Sequence, residues 1–118
     1  MGESLGGPYP VVPDWPGRNA GNSAHARITA LLLIDIGQSL QQAMALRDRI
    51  LDQIAPRQGN PDENEIILNA YAVYLGPKTS VIEAAFDETG EAPVEVLTAD
   101  LLAAIEQYII DIERASRP

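Results

Sequence analysis

Apolar residues along the chain fall into a patternless start followed by several periodic segments. From Asn22 or Ser23, either of which can cap a helix, the pattern is helical as far as Ala55. Leu33, Ile36, Leu40, Ala43, Ile50 and Ile54 form one stripe, Asp35, Gln38, Gln42, Arg49 and Asp52 lie opposite, and Pro56 ends the run. The stretch Ile28 to Ile36 ahead of Gly37 also fits a buried strand feeding a helix capped by Ser39. Helix is preferred there, because the polar face continues back through Arg27 and no turn residue precedes Ile28.

The second half is read as three shorter helices. Asn60 and Glu63 have the spacing of a capping box, Pro61 suits a first helical position, and Glu65 to Leu75 runs to the stop Gly76-Pro77. Tyr71 to Tyr74 alone would suggest strand, but the two ends argue helix. Ser80 to Glu83 is a second capping box, opening a short helix that Gly90 closes. A last helix starts after Pro93 or Thr98 and presents Leu97, Leu101, Ala104, Ile105, Tyr108 and Ile112 on one face. Arg114 suits its negative end.

These elements predict an all-α protein: a small bundle with one long helix of about nine turns, shorter antiparallel helices and an extended arm. The alternative is an α/β fold with residues 28–36 as a buried strand. The domain division is an arm over residues 1–22 and a single helical domain over 23–118. The long helix has more apolar surface than the short ones can cover, so the arm or another subunit is expected to cover the rest.

The arm holds four prolines and five glycines around the chain's only tryptophan, Trp15. Pro13-Asp-Trp-Pro16-Gly-Arg18 satisfies Pro-x-x-Pro-x-Arg, a pattern that aromatic grooves read in extended peptides. Prolines lower the ordering cost of docking, and Tyr9 and Trp15 are the aromatic anchors such docking uses. Tyr9, Val11, Val12, Trp15 and Arg18 are therefore the candidate partner-binding residues. Trp15 folding back over its own domain is the plainer reading.

Charge is divided between the halves. Residues 1–59 carry five acids and five bases, whereas residues 60–118 carry twelve acids against Lys78, Arg114 and Arg117, which accounts for the net −9. Such a half disfavours nucleic acid and anionic membrane and permits a basic protein partner. The chain has no cysteine, no apolar run near the ~20 residues of a membrane span, and no charged and apolar start of a secretory signal. The expected location is the cytoplasm, or a particle assembled there.

No catalytic, cofactor or metal motif is present. His25 is the only histidine, too few for a helical di-iron site, and is read as a solvated residue of the first turn. Asp87, Glu88, Glu91 and Glu95 lack calcium-loop spacing. Asp35 is read as the start of the polar face, and Arg47 as a snorkelling side chain at its flank. The expected function is a non-enzymatic structural or accessory assembly subunit, self-associating or joining other protein subunits, a virus particle being one setting. Two alternatives are an acidic inhibitor or regulator that masks a basic site on a partner, and a small-ligand bundle lined by Tyr71, Tyr74 and Tyr108. No small-molecule substrate is evident.

Overall fold

A computed structural model describes residues 12–54, 65–85 and 92–115. The fold is mixed, not all-α: helices pack against a four-stranded antiparallel sheet, and the helical-bundle expectation is overturned. The elements are α1 (Ser23–Leu31), one π-helical stretch (Leu32–Ile36), α2 (Leu40–Ile54), β1 (Glu65–Ile67), β2 (Tyr71–Tyr74), β3 (Thr79–Ala84), β4 (Val94–Leu97) and α3 (Thr98–Ala115). The strands form a meander in the order β1-β2-β3-β4.

The expected long helix is interrupted. Asn22 caps α1, its side chain accepting from the Ala24 and His25 N–H groups. After Leu31 the ladder widens, and the Gly37 N–H closes on the Leu32 carbonyl at 2.8 Å. Gly37 then adopts φ 59°, ψ −128°, a conformation that only glycine takes without strain. Ser39 restarts the chain as α2, its hydroxyl accepting the Gln42 N–H. Residues 28–36 are thus helical throughout, and the strand alternative placed the sheet in the wrong segment. The break turns Leu33 out to solvent and Asp35 in, the reverse of the expected faces.

The predicted helix over 65–75 is instead a β-hairpin, and Ser80 to Glu83 is β3, not a helical turn. The β-branched and aromatic content of Ile66-Ile67, Tyr71-Ala-Val-Tyr74 and Val81-Ile82 prevails over the capping signals. Asn60, Pro61, Glu63 and Gly90, on which the helix readings leaned, lie outside the described residues. The Ser80 hydroxyl is not a helix cap: it accepts the Gly76 N–H and meets the Thr98 hydroxyl at 2.7 Å, while Thr98 donates to the Gly76 carbonyl. That closed set ties the β2–β3 turn to the start of α3. The final helix begins at Thr98, so Leu97 belongs to β4, and the rest of its apolar stripe is buried.

The register defines two faces. Ile66, Val73, Ile82 and Val94 pair across the sheet in one row, joined on the same side by Tyr71 and Val96. This face packs on Ile28, Leu31, Leu32, Ile36, Leu46, Ile50, Leu101, Ile105 and Tyr108. The sheet, with Trp15 of the arm in the same cluster, covers the helical surface expected to need the arm or another subunit. Asp35 joins helices to sheet, accepting from the N–H groups of Ala70 and Tyr71 at 2.8 and 2.9 Å. Tyr108 donates to the Gly37 carbonyl and pins the helical break to α3.

Candidate functional site

The second face of the sheet is the most unusual surface of the molecule. Its rows are Glu65–Tyr74–Val81–Glu95, Ile67–Ala72–Glu83 and Thr79–Leu97. An outer face that only meets water alternates to polar residues. Here Ile67, Ala72, Val81 and Leu97 are apolar and Tyr74 is aromatic. Ile67 is 67% and Leu97 55% exposed, and among the described residues nothing covers them. Val81 is half-buried, and Ala72 is buried yet stands outside the core cluster.

Carboxylates frame this face: Glu65 on β1, Glu83 on β3 and Glu95 on β4. Among the described residues no strand carries a lysine or arginine. The Tyr74 hydroxyl bonds to Glu83 and Glu65, and these two carboxylates, Glu83 foremost, push its pKa up to about 12. The result is an apolar patch within an anionic rim.

The N-terminal strap, residues 12–22, occupies a different place. Trp15 is 4% exposed, Pro13 is fully buried, and both belong to the chain's own fold. Trp15-Pro16-Gly17-Arg18 closes a turn through an Arg18 N–H to Trp15 carbonyl bond of 3.0 Å, with Gly17 at φ 93°. Proline then glycine at the centre suits a type II turn, so the Pro-x-x-Pro-x-Arg match does not continue as an extended helix through Arg18. Arg18 pairs with Asp14 at 2.9 Å, and that bond with the Trp15 N–H holds the Asp14 carboxyl below the usual range. Val12 is exposed, and Tyr9 and Val11 lie outside the described residues. Of the five candidate partner residues, then, Trp15 is engaged within its own chain and Val12 is open.

His25 is not solvated. It is buried, its ring meets Trp15 edge-on at 5.5 Å between centroids, and Nδ1 accepts the Asn19 N–H at 2.9 Å. Its Nε2 lies 3.0 Å from Asp100 in the first turn of α3. One signal lies in the chain itself, the lone histidine ten residues after the lone tryptophan, but Asp100 is 75 residues from it.

Arg47 is partly exposed and bonds to Asp48. Arg27 donates to the Ile82 carbonyl at 2.9 Å and lies over the Tyr71 ring at 5.5 Å. The tyrosines do not converge: Tyr71 and Tyr108 are in the core, while Tyr74 is on the opposite face of the sheet. An open hollow of about 410 Å³ beside Trp15 is bordered by Asp14, Gln107 and Asp111. An apolar groove of about 220 Å³ runs between α2 and β1, past Leu46, Ile66 and Leu68. Among the described residues no cluster of three or more histidines and carboxylates could hold a metal ion, and Asp87, Glu88 and Glu91 lie outside them. No helix among the described residues is long and apolar enough to cross a membrane. No family model matches the chain, and neither does a curated protein or a solved structure.

Proposed function

We propose that this chain is a non-enzymatic protein-binding module, an acidic regulator that docks a basic surface of a partner protein on the open face of its sheet. One observation carries the reading: an apolar patch in which Ile67 and Leu97 are exposed, Val81 is half-buried and Ala72 is buried, framed by three carboxylates on strands that carry no base. The patch supplies area to desolvate, and the rim selects charge and orients the encounter. A strand-forming peptide of alternating arginine and valine is a suitable probe. Titrated into the isotopically labelled chain, it shifts amides of residues 65–67, 72–74, 81–83 and 95–97, and its binding weakens steeply with salt. Equal shifts over the α2 surface, or binding that Glu83→Lys leaves unchanged, would count against the reading.

The assembly reading keeps support from a second observation. Leu33 and Ile34 are exposed side by side on the π-helical stretch, and π-bulges recur at functional sites. Self-association through them predicts a concentration-dependent mass that Leu33→Ser with Ile34→Ser abolishes.

A further inference from the structure

We propose that the partner holds this sheet with an extended segment that adds as a fifth strand, antiparallel to β1, seating an apolar side chain in the groove between α2 and β1 and basic side chains on the open face. The proposal rests on the reading of that face as a docking surface for a basic partner. Among the described strands β1 is an edge, paired only with β2. The Leu68 N–H donates to the Tyr71 carbonyl at 2.9 Å, and bonded and non-bonded pairs alternate along an antiparallel ladder. Ile66 therefore bonds to Val73, while the N–H and carbonyl groups of Glu65 and Ile67 point away from the sheet. The Glu65 carbonyl takes a long bond of 3.4 Å from Arg49, which leaves a lone pair for a second donor. Among the described residues the Ile67 N–H and carbonyl have no partner. An edge of this kind is a template for one more strand.

The core side of this edge is open as well. In the row that faces the core, Val73 and Ile82 are fully buried, but Ile66 is only half-buried, and so is Leu68. The groove of about 220 Å³ lies beside them, with Ala45 and Leu46 of α2 on its other wall. Neighbouring strands lie roughly 4.8 Å apart, which sets the side chain opposite Ile66 over this groove. Arg49 also borders it and disfavours a second base there, so the groove selects an apolar side chain. The residues opposite Glu65 and Ile67 project onto the open face, where Glu65 and Glu83 favour arginine or lysine. The segment that fits therefore alternates basic and apolar residues. A second copy of this chain fits poorly, because it brings another Glu65 and a net charge of −9 to the same edge. The opposite edge, β4, has α1 packed against it.

Backbone methylation of the peptide provides the test. In an antiparallel fifth strand the arginines of the alternating arginine–valine peptide turn their N–H groups toward β1, and the valines turn theirs away. Affinity for the full chain is measured with the unmodified peptide, with one methylated at the arginine nitrogens and with one methylated at the valine nitrogens. Arginine methylation is expected to weaken binding about tenfold or more, and valine methylation less than about threefold. Ala45→Trp, at an exposed position of α2, fills the groove and is expected to weaken the unmodified peptide about tenfold with far-UV circular dichroism unchanged. Methylated peptides that bind alike, a greater loss from valine methylation, or a folded Ala45→Trp that binds as wild type does would overturn strand addition and leave the open-face reading standing. Absence of binding by the unmodified peptide overturns both.

Discussion

The Asp35 carboxylate accepts the backbone N–H of Tyr71 at 2.9 Å, joining the π-helical stretch to the first residue of β2. Its other oxygen takes the Ala70 N–H at 2.8 Å. One buried and one part-buried donor therefore depend on one side chain 36 and 35 residues away. Asp35→Ala leaves both without a partner and is expected to cost about 3 kcal/mol. Asp35→Asn, retaining one accepting oxygen, costs roughly half as much. Urea denaturation followed by circular dichroism measures both.

Gly37 stands at the break between the helical segments with φ 59° and ψ −128°. Gly37→Ala is expected to lower stability by about 1–3 kcal/mol through backbone strain alone, since a Cβ there meets no atom within 4 Å. A stability equal to wild type would mean that the segment relaxes into a continuous helix.

Removal of the strap separates a packing role from an assembly role. Pro13 and Trp15 are buried in their own chain, so a version starting at Ser23 is expected to lose about 2 kcal/mol of stability or more with no change in the number of subunits. Light scattering after gel filtration, paired with denaturation, reads both quantities. A fall in the number of subunits on truncation would instead return the strap to the role of assembly arm.

Tyr74 carries the electrostatic signature of the sheet face. Its folded pKa of about 12 lies above the ordinary tyrosine value of 10. The hydroxyl–carboxylate bonds therefore contribute fully below that ordinary value, and their contribution is lost as pH rises through about 12. Ultraviolet titration of tyrosinate is expected to show late-ionising groups, among them Tyr108, which burial raises. Tyr74→Phe removes one of the late groups. Glu83→Gln brings Tyr74 back toward the ordinary range, because Glu83 is the leading cause of its shift.

Local patterns made the helices legible. The cap at Asn22 and the stripe from Leu101 to Ile112 are features of contiguous sequence, and both are present as read. The sheet is hidden from local pattern because its strands are short and their flanking residues mimic helix punctuation. Ser80 looks like a cap, yet its hydroxyl serves Gly76 and Thr98. Tyr71 to Tyr74 showed strand propensity, and only its pairing with β1 and β3 realises it. Asp35 and His25 look solvated in the sequence because their partners, the Tyr71 N–H and Asp100, are remote along the chain. The acidity of the second half was visible, but the register alone aligns Glu65, Glu83 and Glu95 around one apolar patch.

Site-specific photo-crosslinking in the cells from which the protein comes tests the central claim most directly. A benzophenone side chain at Leu97, on the open face, is compared with one at Gln41, exposed on α2. The account predicts a discrete adduct from position 97 and none from position 41. The captured peptide is rich in lysine or arginine beside apolar residues, and the adduct disappears when Glu65→Lys and Glu83→Lys are added. Equal adducts from both positions, an adduct with a second copy of this chain, or one indifferent to the charge reversals would contradict it.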